Sequence, residues 1–541
     1  MLRLTAAIWA STCLAQVLET TGAACSSCHV EASKVAVSAH ARVGCANCHF
    51  GRAGYPHQSG ARTLGCVLCH ARQGREHGTS VHGQALERGQ STAPDCSGCH
   101  GNAHEIRPAR SNEYRRSVPG TCGRCHAAIA REFQGSVHGA ALGRGVLQVA
   151  VCTDCHGEHS IQRPGRPASF VHRSHIPETC GQCHSNVRLS RKFGFPPDRL
   201  VSYATSFHGL AARGGSQSVA NCASCHGIHN ILPSSDANST VHPENLPATC
   251  GRCHRGAGTR FALGPVHLWP GRTEPLPVRW VRQTYLVLIP ALIGLLFLHN
   301  AGDWVRKCLR LRSGAPQGAS PLHTGIRMYP FERVQHAALM VSFLVLAWSG
   351  LLLKYPDQWW VRPFAWLGEA ARGTLHRGAA VVFIAAALAH LVSLAASPTL
   401  RGHWKELWPR REDAVQGVRM FAYNLGLTSV RPPLSRYSYI EKLEYWAVVW
   451  GFALMTSTGL LLWANSLVLS RLPKIVLDVA TALHFYEALL ACLAVAVWHF
   501  YVVIFDPDVY PMNPCWITGS HRAPEEETEV ADTSPQPVVR G

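Results

Sequence analysis

Nine copies of C-x-x-C-H occupy the first half of this chain, and no other feature limits its fold as much. They span Cys25–His29, Cys45–His49, Cys66–His70, Cys96–His100, Cys122–His126, Cys152–His156, Cys180–His184, Cys222–His226 and Cys250–His254. Their second cysteines are Cys28, Cys48, Cys69, Cys99, Cys125, Cys155, Cys183, Cys225 and Cys253. A single motif of this kind is compatible with a zinc half-site or a redox dithiol. Nine within about 230 residues leave those readings little room. The pattern is the attachment signature of c-type haem, in which two thiols add to the porphyrin and the adjacent His binds iron. The motifs take 18 of the 22 cysteines, so a disulfide scaffold is excluded.

The second axial ligand follows from what is missing. No methionine occurs between Met1 and Met328, so the His/Met ligation that raises haem potential is closed to this region. Thirteen further histidines lie between His40 and His267. Bis-His ligation is therefore expected, with His40, His57, His77, His82, His104, His138, His159, His208 and His229 as distal ligands. Irons saturated in this way carry electrons and bind no substrate.

Residues 80–254 repeat. Ser80-Val-His-Gly83, Ser136-Val-His-Gly139 and Ser206-Phe-His-Gly209 share the form S-[VF]-H-G, each His 14 residues before a motif cysteine. A second motif introduced by P-x-T-C-G closes each unit, at Pro119, Pro177 and Pro247. The repeat is a two-haem module used three times. His172 and His242 have Tyr114 as their counterpart in the first module, which argues against a required ligand there. The region is rich in Gly, Pro and Ser and lacks sustained periodicity. It is expected to be coil-rich, with short helices and the porphyrins as its core, and its folding should depend on haem.

Haem c is attached outside the cytoplasmic membrane in bacteria. Arg3, the apolar run Leu4–Leu18 and small residues before Cys25 read as a secretory signal peptide, 1–24. The formal charge of +18 invites a nucleic-acid partner. Haem propionates bring a compensating negative charge that arginines pair with, so no nucleic acid is expected.

From Tyr285 the composition changes. Five apolar segments follow, about Tyr285–Trp304, Val334–Leu353, Arg377–Ala396, Tyr445–Ala464 and Phe485–Phe505, each long enough to span a bilayer. Loops 305–333 and 397–444 hold six and eight Arg/Lys, against three and two in loops 354–376 and 465–483. The basic loops belong in the cytoplasm, which leaves the haem c region in the periplasm and the protein in the bacterial inner membrane. The expected domains are a periplasmic cytochrome c region at 25–270, a linker and tether helix at 271–310, an all-α membrane bundle at 311–520 and a disordered tail at 521–541.

Histidines inside membrane helices are costly and usually functional. His484 and His499 on the last segment lie about 22 Å apart along the axis, which suits two haems stacked across a bilayer. Topology puts His376 at the depth of His484. His499 has His336, His390 and His299 available at its own depth.

Tyr329-Pro-Phe-Glu-Arg-Val-Gln-His336, Trp348-Ser-Gly350, Leu375-His-Arg377 and Trp498-His-Phe-Tyr501 resemble the dihaem cytochrome b subunits of formate dehydrogenase and nickel–iron hydrogenase. That resemblance implies His336, His376, His484 and His499 as haem b ligands. A His376/His390 helix facing a His484/His499 helix would also hold two haems. Nine c-haem motifs before such a domain resemble the CbcL-type inner-membrane cytochromes of metal-reducing bacteria. The resemblance implies nine haem c, two haem b and a quinone substrate, menaquinone in particular. Its quinone site would lie beside the cytoplasmic haem, with Asn424 bonding a quinone carbonyl. The implied activity is quinol:cytochrome c-type oxidoreductase, linking the membrane quinone pool to periplasmic c-type cytochromes. No catalytic residue is assigned, because the cofactor carries the chemistry. Reverse flow from periplasmic donors to quinone is one alternative. A periplasmic oxyanion reductase is another, although it needs an open iron position.

Overall fold

Each S-[VF]-H-G repeat starts a helix, and each of its fixed residues has a steric or hydrogen-bonding reason. The Ser80, Ser136 and Ser206 hydroxyls accept from the N–H of Gly83, Gly139 and Gly209 at 3.1, 3.1 and 3.2 Å. They thereby cap the helices Val81–Glu87, Val137–Gly143 and Phe207–Arg213. A Cβ on those glycines would fall 2.0, 2.0 and 2.1 Å from the carbonyls of His77, Phe133 and Tyr203, so no larger residue fits. The histidine between cap and glycine is thus held in the first turn. The C-x-x-C-H segments Cys96–His100, Cys152–His156 and Cys222–His226 are single helical turns. Each stops at a glycine with φ near +80°, Gly101, Gly157 and Gly227.

This computed structural model describes residues 25–50, 52, 57, 62–259, 266–267, 274–313, 326–434 and 437–520. The signal segment 1–24, the tail 521–541 and His323 lie outside the described residues. Two compact units emerge, residues 1–201 with 217–250, and residues 202–216 with 251–541.

The first unit is coil-rich with short helices. Among its described residues the buried apolar side chains are Val118, Pro119, Val151 and Pro177. That is too little to hold such a chain by hydrophobic burial alone. Polar locks join the modules instead. Val81 and Val137 donate their N–H to the carbonyls of Ile161 and Ile231, both at 2.8 Å. Arg115 forks onto Asp154 and donates to the carbonyls of Leu147 and Val149.

The second unit contains five helices long and apolar enough to cross a membrane. They are α1 (Leu276–Arg312), α2 (Pro330–Lys354), α3 (Gly368–Ala396), α6 (Tyr439–Trp463) and α7, which runs from Ile475 to Phe505. The shorter α4 (Pro398–Glu406) and α5 (Arg411–Asn424) lie between α3 and α6. Helix α2 packs on α3, and α7 packs on both α6 and α1. From Val495 onward α7 is wound as π-helix, a form that recurs at functional sites.

The division into units cuts across the haem-motif region. Residues 202–216 and the end of the ninth motif belong to the membrane unit. Within that unit Ser202 bonds His267 at 2.9 Å, and Arg213 pairs with Asp357. Helix α1 is also more than a tether. It buries His299, Asn300 and Lys307. Asn300 donates to the Val497 carbonyl in the π-wound stretch at 2.7 Å, and Lys307 bonds both oxygens of Asp506.

Candidate functional site

Eight of the nine motif histidines, all but His226, are seen opposite another imidazole. In the first unit the opposed rings are His29–His57, His49–His104, His40–His70, His100–His159, His82–His126, His156–His229 and His138–His184. His208 faces His254 in the second unit. Ring centres lie 5.8 to 6.4 Å apart. An ion held between two imidazole nitrogens at about 2 Å from each sets ring centres about 6 Å apart. Among the described residues no group of three or more His, Cys, Asp or Glu is set to hold a metal directly. The opposed rings at this separation suit a metal group clamped from both faces.

The pairing crosses the repeat. Each S-[VF]-H-G histidine faces the closing motif of its own module. The histidine after an opening motif faces the opening motif of the preceding one, as His159 does with His100 and His229 with His156. The Ile161 and Ile231 locks stand two residues beyond those crossing histidines and fix them there. His77 departs from its expected place. Its Nε2 meets the Pro94 carbonyl at 3.1 Å, and the ring facing His126 is His82. His172 and His175 contact each other.

The motif cysteines follow one another in space as they do in sequence. The thiols of Cys25 and Cys45, Cys66 and Cys96, Cys122 and Cys152, and Cys180 and Cys222 are neighbours. Cys99 neighbours Cys122, Cys155 neighbours Cys180, and Cys225 neighbours Cys250. A cavity of about 2290 Å³ is lined by motif residues from Cys25 to His126. It is larger than the ~300–1,000 Å³ of a pocket for one small ligand. Burial pushes the imidazoles of His138, His184, His208, His226 and His254 below their ordinary pKa. They stay neutral, the state in which imidazole binds a metal.

Two further pairs lie in the membrane helices. His376 of α3 faces His484 of α7 with ring centres 6.5 Å apart, and His336 of α2 faces His499 of α7 at 6.3 Å. His376 Nδ1 meets the Ser349 hydroxyl at 2.8 Å, and His484 Nδ1 meets that of Thr458 at 3.0 Å. His499 Nδ1 meets the Glu444 carboxylate at 3.2 Å. With Nδ1 engaged, Nε2 is the nitrogen left for a metal. His336 Nδ1 is buried without a hydrogen-bond partner. Gly459 makes room beside His484, since a Cβ there would lie 3.3 Å from the ring. The donor set fits two bis-imidazole haems.

His390 does not join either pair. Its Nε2 bonds the Tyr445 hydroxyl at 3.0 Å and its Nδ1 faces Gln335 at 3.4 Å. Asn424 is buried against α1. Its amide donates to the His299 carbonyl at 3.2 Å. Sequence reading missed His403, which lies between Glu332 and Tyr437.

Residues 327–510 match the family model of prokaryotic cytochrome b561. The membrane segment is similar to that family. The match spans α2 to α7 and contains all four paired membrane histidines. It supports membrane electron transfer involving b haems. Comparison with curated proteins and with solved structures gave no match.

Proposed function

We propose that this chain is an inner-membrane quinol:cytochrome c-type oxidoreductase. It takes electrons from quinol through two b haems and delivers them through nine c haems to periplasmic acceptors. The observation that carries this reading is the order of histidine pairs within the membrane unit. His336–His499 and His376–His484 lie at successive depths of one bundle. His208–His254 belongs to the same unit, and its helix 207–213 packs on α2. The Arg213–Asp357 pair places that helix at the His376–His484 end. Within the first unit, the neighbouring motif cysteines from Cys66 to Cys250 support a file of attachment sites.

His336 with His499 and His376 with His484 would hold the b haems, while the motif histidines and their opposed rings would hold the c haems. When bound, haem supplies one-electron chemistry. The chain supplies the clamp and orients the membrane imidazoles through Ser349, Thr458 and Glu444. The basic loops 305–333 and 397–444 support a cytoplasmic His336–His499 end.

The test is haemochrome analysis of the purified protein followed by anaerobic addition of a menaquinol analogue. A c-to-b ratio near nine to two and reduction of the c bands through b are expected. Absence of extractable haem b, or c bands that stay oxidised, would overturn the reading.

A further inference from the structure

We propose that His403 is the group that takes up the protons released when quinol reduces the haem held by His336 and His499. The proposal rests on the reading above and assigns a site to the proton half of that reaction. His403 lies on α4, and its side chain is only 9% exposed. Its Nδ1 meets Glu332 Oε1 at 3.1 Å, and its Nε2 meets the Tyr437 hydroxyl in a short hydrogen bond. Glu332 is one helical turn before His336 on α2, which puts the cluster beside the ligand of that haem.

Hydrogen-bond counting shows why this histidine can change its proton state. The Tyr437 hydroxyl has one proton and two acceptors in reach, His403 Nε2 and the Arg327 carbonyl at 3.1 Å. When it donates to Nε2, His403 is neutral and gives its Nδ1 proton to the Glu332 carboxylate. When it turns to the Arg327 carbonyl, Nε2 is free to carry a proton. The imidazolium then donates to Tyr437 oxygen on one side and Glu332 on the other. Both imidazole nitrogens, the Tyr437 hydroxyl and the Glu332 carboxylate keep a hydrogen bond in both states, so the proton is gained without stranding any of them.

The groups facing this histidine suit that role. Tyr329 lies edge-on to it at 5.6 Å, and Glu332 is the carboxylate in contact. The Arg327 guanidinium stacks over Tyr437 at 5.0 Å, but Glu441 neutralises it at 2.7 Å. Glu332 is 21% exposed and provides the way to water.

Oxidation of one quinol breaks two O–H bonds and releases two electrons and two protons. The electrons leave singly and reduce ferric iron to ferrous. For each, one N–H bond forms at His403 Nε2, and one proton leaves Nδ1 through Glu332 to water. Loss of the Nδ1 proton leaves the ring protonated at Nε2, so between the two transfers the imidazole flips to bring that N–H back to Glu332, and the Tyr437 hydroxyl turns back to donate to the bare nitrogen.

The experiment uses the full-length haem-loaded protein and His403→Gln, with Tyr437→Phe as a second variant. The first readout is the pH dependence of the midpoint potential of the His336–His499 haem. Wild type should show a potential that falls as pH rises. His403→Gln should flatten that slope and leave the His376–His484 haem unmoved. The second readout is reduction of haem b by a menaquinol analogue, expected to slow at least tenfold in His403→Gln and less in Tyr437→Phe. Dithionite should reduce both variants as fast as wild type, which reports intact haem sites. An unchanged slope and unchanged quinol rate in both variants would overturn the proposal. Wild type that quinol does not reduce would overturn the functional reading along with it.

Discussion

The two membrane histidine pairs share one architecture and differ in what lies behind the rings. At His376–His484 both Nδ1 atoms meet neutral hydroxyls, Ser349 and Thr458. Both hydroxyls also bond a carbonyl of their own helix, at Val345 and Leu454. The buried Arg372 donates to the Ser349 carbonyl and pairs with Glu369. At His336–His499 the support is a carboxylate, Glu444, behind one ring and no partner behind the other. A carboxylate makes imidazole a more basic ligand and favours the oxidised metal. The His336–His499 haem should therefore have the lower potential. Electron flow towards His376–His484 is then downhill, which favours quinol oxidation over the reverse reaction.

The largest expected effect removes one side of the comparison altogether. His336→Ala should lose one b haem and His376→Ala the other, with the c haems retained in both. His390→Ala should lose neither, because its ring is committed to Tyr445 and Gln335. Haemochrome spectra of the three variants check this. Loss of a haem in His390→Ala with both retained in His336→Ala would reassign the pairing.

The next effect lies in the carboxylate. Glu444→Gln keeps a hydrogen-bond acceptor and removes the charge. The potential of the His336–His499 haem should rise by about 60 mV, a tenfold change for one electron, while the other haem stays in place. Smaller still is the hydroxyl support. Thr458→Val should move the His376–His484 haem by roughly half as much, because a neutral hydrogen bond is about half as strong as a charge-assisted one. If Thr458→Val shifts its haem more than Glu444→Gln shifts the other, the carboxylate does not set the difference.

Much of the fold was legible because its constraints are local. The C-x-x-C-H motifs, the S-[VF]-H-G repeat and five apolar spans are readable without tertiary contacts. Ligand pairing is tertiary, and that is where sequence reading stopped. The crossing of His159 to His100 depends on the Val81–Ile161 lock, which no spacing reveals. His77 looked like a ligand by its nearness to motifs, yet the close approach of its carbonyl to Gly83 gives that segment a packing role. Asn424 invites a quinone contact by its side-chain type, and in the fold its contact with His299 and its backbone against Gly302 dock α5 on α1. His403 gave no signal as a lone loop histidine. Its partners Glu332 and Tyr437 come from distant stretches of sequence and meet only in the fold.

The most direct measurement is a redox titration of the purified protein with b and c bands resolved, repeated on His336→Ala. Two b-type components with separate midpoint potentials are expected, and the variant should lack the lower one. Retention of the lower component in His336→Ala, or its loss in His376→Ala instead, would contradict the assignment of the low-potential site to His336 and His499.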